Sequence, residues 1–394
     1  MSGAESSQLT EQRKSSIPDA MVDSIRPAEA GPFTSSVKID QVKLDLNPSQ
    51  LYELSAIRQA LTGESVVDRD QLYFGERSDV DQFLRLCGYD TDNPLEMTRL
   101  NDLRAEAVRY LTEVQGYQIP VELARSAEIH HLFDVATNGE VTERQFASMI
   151  FKVLHILYHI TARELVFNTR VSEAELLSRL NTKVFRVIDE MRAAGVGVCE
   201  FAAGKKMRTS LTTKLLAKRT TLATHIFDKL RFRIIVKSRE DLVKGLIYLM
   251  RHLVPFNYVL PGQSENSIIT GNDLARVFGT QPETVRQFWA GSPLADPAEP
   301  PSQEENAFSG PSYRCVNFVA EIPLRLDDLA PEIGPAIAAV ETEVQLVDAA
   351  TEQANTRGEN SHSLYKERQR IHVRQRLEGP NASKYCLPRF EDAE

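Results

Sequence analysis

The spacing of apolar residues changes near residue 200, and this change constrains the fold more than any other feature. Before it, apolar residues recur at helical spacing behind two capping boxes, Thr142–Gln145 and Ser172–Glu175. The second helix is predicted to end at the glycines near Gly195. The first half of the chain is therefore predicted to be a helical domain.

Beyond residue 200 the pattern becomes mixed. Segments 231–237, 313–322 and 340–348 have the composition and spacing of strands, and 238–253 has helical spacing. Strands that alternate with helices are typical of folds that combine both. The prediction is an α+β protein in which a helical N-terminal domain precedes a mixed-sheet domain.

Composition predicts the bounds of these parts. Residues 1–37 are polar and predict a disordered tail, 38–200 form the helical domain, and 201–378 form the mixed-sheet domain. Within the latter, the Pro-rich stretch 270–310 predicts a mobile surface insertion. Residues 379–394 are predicted to be a second tail.

The spacing of the cysteines and the hydropathy of the chain indicate the cellular compartment in which the protein is expected. Cys87, Cys199, Cys315 and Cys386 are far apart and form no C-x-x-C pair, which favours reduced thiols over disulfides or a zinc site. The sequence has no uncharged apolar run of the length that spans a membrane. A cytoplasmic protein without a membrane partner is expected.

A basic segment from Gly204 to Arg239 stands out in an acidic chain. It has 11 Lys or Arg residues and one acidic residue, Asp228, whereas the whole chain has a net charge of −9. A local reversal of sign causes self-repulsion unless an anion neutralises it, and the acidic remainder disfavours general nucleic-acid coating. The segment therefore predicts a compact phosphate ligand.

The end of this segment has strand alternation. Arg231 and Arg233 share one face, and Phe232 and Ile234 lie on the other. Cations beside the carboxylate of Asp228 suit a nucleotide-transfer site with Mg²⁺. A solvated basic helix next to a charged edge strand explains the same pattern without a ligand.

A second candidate carboxylate is in the segment 341–347. Alternation places Glu341, Glu343 and Gln345 on one face and Val344 and Leu346 on the other. If the two strands are close, Asp228 and Glu343 could share a divalent cation. The polar outer face of an antiparallel sheet explains the alternation without a metal and is the simpler interpretation of this segment alone.

Four segments, in order, resemble motifs of the synthetase domain of RelA/SpoT alarmone synthetases, members of the nucleotidyltransferase superfamily. The resemblance covers about residues 200–378. The matching residues are Lys206, Ser210, Leu211, Lys214 and Lys218 of the phosphate segment, Asp228 and Arg233 of the first metal strand, 312–323 of the nucleotide-stacking strand, and 343–346 of the last strand. Arg231 and Ser312 stand where the family has Gly, and Asn317 stands where it has His.

The resemblance implies a pyrophosphokinase. The 3′-hydroxyl of a purine nucleotide, GDP or GTP, would attack the β-phosphorus of ATP to make ppGpp-type products of the stringent response. Asp228 and Glu343 would hold Mg²⁺, and Glu343 would also receive the hydroxyl proton. Lys206, Lys214, Lys218 and Arg233 would neutralise the phosphates, Ser210 and Gln345 would help to bind the nucleotides, and Tyr313 would stack on the acceptor base.

Two alternatives remain open. The acceptor could be the 3′ end of tRNA, with the basic stretch 366–376 as an RNA contact. The domain could instead bind a nucleotide and regulate a partner without catalysis, although the presence of both Asp228 and Glu343 disfavours this. A free purine nucleotide is the expected acceptor.

His155 and His159 form a separate candidate site. Their spacing puts them on one helix face, with Glu164 shortly after, which could suit a metal. The pair lacks the H-E-x-x-H pattern and has apolar neighbours, so helix packing or hydrogen bonding is the preferred interpretation.

Overall fold

The structure is a computed structural model that describes residues 45–125, 128–168, 171–205, 208–217, 230–289, 312–328, 335–357 and 362–378. Both predicted tails, 1–37 and 379–394, lie outside the described residues. The helices are α1 (Pro48–Thr62), α2 (Arg77–Leu86), α3 (Pro94–Arg109), α4 (Val121–Arg125), α5 (Ile129–Asn138), α6 (Val141–Asn168), α7 (Glu173–Ala193), α8 (Arg208–Ala217), α9 (Arg239–His252), α10 (Gly271–Phe278), α11 (Pro282–Phe288), α12 (Ala349–Asn355) and α13 (His362–Glu378).

The helix boundaries follow local signals. Ser172 caps α7 by accepting a hydrogen bond from the Glu175 backbone, and Gly195 follows the helix with a φ of 89°, so both ends match the prediction. The predicted start of α6 is two residues late. This helix begins at Val141, and the Glu140 carbonyl accepts from the Arg144 backbone, so Thr142 lies inside the first turn.

The described strands form one mixed sheet of five. They are β1 (Val198–Lys205), β2 (Leu230–Val236), β3 (Val259–Asn266), β4 (Val316–Arg325) and β5 (Ile337–Asp348), in the order β1-β2-β5-β4-β3. Only β2 and β5 pair in parallel among these neighbours. The predicted α+β class with an N-terminal helical region is confirmed. The charged edge strand offered as an alternative is wrong, because β2 has neighbours on both sides.

One hydrophobic core connects the helical part to the sheet. Phe83 of α2 stacks on Phe256 with ring centroids 5.4 Å apart, and the same core includes Phe232 of β2 and Leu346 of β5. Full burial of each such side chain contributes about 1.5–3 kcal/mol. The change of structure near residue 200 therefore does not coincide with a gap in the core.

The stretch predicted to be a mobile insertion is partly built into this core. Residues 271–289 contain α10 and α11, and Leu274 and Trp289 are fully buried. For these residues the prediction is wrong, because apolar side chains at helical spacing outweigh the proline content that follows them. Residues 290–310 lie outside the described residues.

Two further findings bear on the predicted compartment. Within the described ranges, no helix combines the length and hydropathy that crossing a membrane requires. Cys87, Cys199 and Cys315 have free thiols, and Cys386 lies outside the described residues.

Candidate functional site

The parallel pairing of β2 and β5 brings two of the sequence motifs side by side. Arg231 is in register with Glu343, and Arg233 is in register with Gln345. Phe232 on β2, like Val344 and Leu346 on β5, is fully buried, as the alternation predicted. The charged and amide side chains therefore share one face of the sheet.

This face is not a solvated outer surface. Glu343 and Gln345 are buried, with 9% and 3% of their surface exposed. The simple explanation of their alternation as a polar outer face therefore does not fit. Buried polar groups need hydrogen-bond partners, and this site contains several of them.

A chain of hydrogen bonds crosses the face from β2 to the segment before β4. Nη2 of Arg231 donates to Oε1 of Gln345 at 2.6 Å, and Nε2 of Gln345 donates to the Tyr313 hydroxyl at 3.0 Å. Nε of Arg231 lies 3.8 Å from Oε1 of Glu343. Gln345 therefore has a fixed amide orientation, and the three predicted site residues Glu343, Gln345 and Tyr313 are brought together around Arg231.

The second arginine of β2 faces a different carboxylate. Arg233 forms an ion pair with Glu352 of α12. The helix is positioned by Asp348, whose side chain caps it by accepting from the Thr351 backbone at 3.0 Å. Sequence reasoning missed Glu352, because no motif marks α12 and the contact depends on the chain turning back immediately after β5.

Tyr313 lies just before β4, in a segment that is held by hydrogen bonds, and not in the strand as predicted. The side-chain amide of Asn355 accepts from the Arg314 backbone N–H at 3.0 Å and donates to the Arg314 carbonyl at 2.7 Å. Ser267 accepts from the Cys315 backbone at 2.9 Å. Burial raises the pKa of Tyr313 to about 12, so the phenol stays protonated at physiological pH.

The remaining predicted residues belong to the basic segment. Ser210 and Lys214 lie on α8, and Lys206, Lys218 and Asp228 lie outside the described residues. Helix α13, which contains the basic stretch 366–376, packs against α8, and Arg376 donates to the Leu216 carbonyl.

The described residues are a poor fit for a magnesium ion at Glu343. Mg²⁺ bonds carboxylate oxygens at about 2.0–2.1 Å, and a guanidinium next to the same carboxylate repels it. Within the described ranges, no three His, Cys, Asp or Glu side chains converge in a way that could hold a metal. The assignment of Mg²⁺ to Glu343 stays a prediction, and the position of Arg231 argues against it.

The histidine pair on α6 makes hydrogen bonds, as preferred from the sequence. Nδ1 of His155 lies 3.2 Å from the Asn257 amide, and Nδ1 of His159 lies 2.7 Å from Oε2 of Glu321 on β4. Burial, with a smaller contribution from His159, lowers the pKa of His155 to about 3, so this imidazole is neutral at physiological pH. The pair therefore links α6 to the sheet.

Comparison with known proteins gives weak likenesses. No family model matches the chain, and no curated protein sequence matches it. Among solved structures, the chain is similar to small alarmone synthetase 1 from Bacillus subtilis bound to its product pppGpp, with 16% identity and a TM-score of 0.28 over 52% of this chain and 83% of that one. It is also similar to small alarmone synthetase 2 from Bacillus subtilis, with 15% identity and a TM-score of 0.27 over 56% and 97% of the two chains.

A third similar structure is a GTP pyrophosphokinase family protein from Streptococcus pneumoniae, with 12% identity and a TM-score of 0.27 over 52% of this chain and 85% of that one. These proteins belong to the family that the sequence motifs resemble. Similarity at TM-scores this low does not establish a shared function.

Proposed function

We propose that this protein transfers a pyrophosphate group from ATP to the 3′-hydroxyl of a purine nucleotide, GDP or GTP. The observation that carries the proposal is the register of β2 with β5, which places Arg231 and Arg233 beside Glu343 and Gln345. These motifs are far apart in the sequence, and phosphate-binding cations next to a carboxylate and an amide are what such a transfer needs.

In the proposed step, the 3′-oxygen of the acceptor forms a bond to the β-phosphorus of ATP. The bond between that phosphorus and the oxygen bridging to the α-phosphate breaks, AMP leaves, and the acceptor gains two phosphates. Glu343 accepts the hydroxyl proton, because it is the carboxylate on the paired strand in register with Arg231. Arg231 and Arg233 offset the charge on the transferred phosphates.

Tyr313 and Gln345 are proposed to bind the nucleotide. Gln345 holds the Tyr313 hydroxyl, and two backbone bonds from Asn355 fix the following residue. This support gives the half-buried ring a constant orientation, as an aromatic platform for a base requires. Ser210, Lys206, Lys214 and Lys218 are proposed to bind the ATP phosphates from the basic segment, as the resemblance implies.

Mg²⁺ is the cofactor that the resemblance implies. Because Glu343 faces Arg231, Asp228 and the phosphates themselves are the groups proposed to hold it. Mg²⁺ would supply charge neutralisation to the phosphate chain. We place the reaction in the cytoplasm, which provides its nucleotides and the reducing conditions that free thiols need.

The test is incubation of the pure protein with γ-labelled ATP, Mg²⁺ and, separately, GDP, GTP and tRNA. The proposal expects label in GDP or GTP together with release of AMP. Label in tRNA alone would contradict the choice of acceptor. A double variant, Lys366→Gln with Arg370→Gln, tests the RNA alternative better than truncation, because α13 packs against α8 and its loss would disturb that helix.

One observation favours a second candidate function. The carboxylate proposed as proton acceptor already faces a guanidinium, an arrangement that a binding protein tolerates more readily than an enzyme does. This candidate is a nucleotide-binding regulator without transfer. ATP binding by calorimetry, with no labelled product from any acceptor, would select it.

A further inference from the structure

Arg231 is the least expected residue of the site, because it stands where the resembling family has glycine. Its side chain leans along β2 toward Gln345 and fills the space between that amide and Glu343. Parallel strands in register keep all three side chains on one face, so this placement follows from the backbone pairing.

The guanidinium brings a positive charge to the place where a cation would otherwise balance Glu343. Nε of Arg231 lies 3.8 Å from Oε1 of Glu343. At this distance the positive guanidinium reduces the electrostatic repulsion between the Glu343 carboxylate and an incoming phosphate. The planar fork of arginine can bond two phosphate oxygens at once.

The surroundings leave Arg231 available to a ligand. Its side chain is 32% exposed, whereas that of Glu343 is 11% exposed, so an anion that enters the site reaches the guanidinium first. Nε of Arg231 is buried and makes no hydrogen bond among the described residues, and the guanidinium is held mainly by the bond from Nη2 to Gln345. A small shift toward a phosphate would therefore break few existing bonds.

We propose that Arg231 acts as a built-in cation, so that the triphosphate of a nucleotide binds this face of the sheet without a divalent metal ion. This inference rests on the proposed function, because it takes a nucleoside triphosphate as the ligand of the same site. It goes beyond that function because it makes the Arg231 guanidinium sufficient for triphosphate binding at this face in the absence of Mg²⁺.

The experiment is a calorimetric titration of ATP in excess chelator and, in parallel, with Mg²⁺. It compares wild type with Arg231→Gln, with Arg231→Gly as a second variant, and with Arg276→Gln as a matched control on the exposed face of α10. Circular dichroism checks that each variant is folded.

Wild type and the Arg276 variant are expected to bind ATP in chelator within about threefold of their affinity with Mg²⁺. Arg231→Gln is expected to lose about tenfold or more in chelator, the loss typical of one hydrogen bond to a charged group, and to regain part of it with Mg²⁺. Arg231→Gly is expected to behave in the same way, because it also removes the charge.

Three results would overturn the inference. If wild type bound ATP only with Mg²⁺, Arg231 would not replace the metal, and the proposed function would be untouched. If Arg231→Gln bound metal-free ATP as wild type does, the residue would serve only to orient Gln345. If wild type bound no ATP under either condition, both the inference and the proposed function would fail.

Discussion

Two arginines of this protein face carboxylates in very different surroundings. Arg251 on α9 lies 2.7 Å from Oδ1 of Asp79, also pairs with Glu53, and donates to Oε1 of Gln82 at 3.1 Å. Nε of Arg231 on β2 lies 3.8 Å from Oε1 of Glu343, and Nη2 donates one short hydrogen bond to Gln345. The guanidinium of Arg251 therefore has several close partners, whereas among the described residues that of Arg231 has one hydrogen bond and one longer contact.

The difference separates a structural ion pair from a binding group. Arg251 joins α1 and α2 to α9, and its partner Asp79 is almost fully buried, so the network fixes the packing of helices. Arg231 is partly exposed, so part of its side chain is open to a phosphate. Incomplete pairing of a charged group next to buried polar residues is thus the mark of the candidate site.

The largest expected effect breaks the helical network. Arg251→Met should lower the free energy of unfolding by about 3–5 kcal/mol, because it leaves the buried Asp79 without its cation. Arg231→Met should lower it by less, about 1–3 kcal/mol, because it removes the donor to the buried amide oxygen of Gln345, while Glu343 lies 3.8 Å away. Urea unfolding of both variants measures this, and equal losses would show that the two clusters do not differ as described.

The next effect concerns chemistry. Glu343→Gln should reduce pyrophosphate transfer by about 100-fold, a loss of about 2.7 kcal/mol in transition-state stabilisation, because the amide cannot accept the proton. Glu341→Gln, on the same face of β5, is the control and should stay within a few-fold of wild type. A Glu343 variant with more than about a tenth of the wild-type rate would remove Glu343 from the mechanism.

A smaller effect is acid sensitivity at His155. Because its folded pKa is about 3, the unfolded chain takes up a proton below about pH 6.5 while the folded protein does not, so stability falls as the pH falls from 6.5 toward 3. Between pH 7.5 and 5.5 this costs about 1.4 kcal/mol. Urea unfolding at both pH values measures the loss in free energy of unfolding between pH 7.5 and 5.5. This loss should be smaller by about 1.4 kcal/mol in His155→Gln than in wild type, and it should be unchanged in the control variant His131→Gln. An unchanged loss would mean that His155 is not buried in its neutral form.

The smallest effect is at the end of the hydrogen-bond chain. Tyr313→Phe removes the hydroxyl that accepts a hydrogen bond from the Gln345 amide, and it should lower the free energy of unfolding by about 1 kcal/mol. The ring itself remains, so the acceptor KM should rise only a few-fold while kcat changes little. Steady-state kinetics with GDP or GTP would measure this, and a large fall in kcat would indicate that the hydroxyl takes part in the transfer.

Much of the fold could be predicted where local signals were strong. Alternation identified β2 and β5 and their buried faces, and the caps of α7 were marked by Ser172 and Gly195. β1 and β3 were missed. β1 is an edge strand with weak alternation, and β3 includes a glycine with a φ of 69°, so neither has the pattern of a regular buried strand.

The candidate site was predictable only in part. Motif matches named Arg233, Glu343, Gln345 and Tyr313, but the contact between Arg231 and Glu343 depends on a parallel register between distant segments. Sequence spacing does not specify which strands become neighbours, because such pairing is decided by packing of the whole core.

The central claim is that the polar face of β2 and β5 binds a nucleotide. Irradiation of the protein with an ATP analogue that has a photoreactive azide on its adenine, followed by peptide mapping, tests this directly. Label that excess ATP competes away should lie in peptides from 204–236, 312–325 or 337–357, where the basic segment, Tyr313 and the paired strands are found. Competable label confined to peptides of α1, α2 and α9, around Arg251, would contradict the claim.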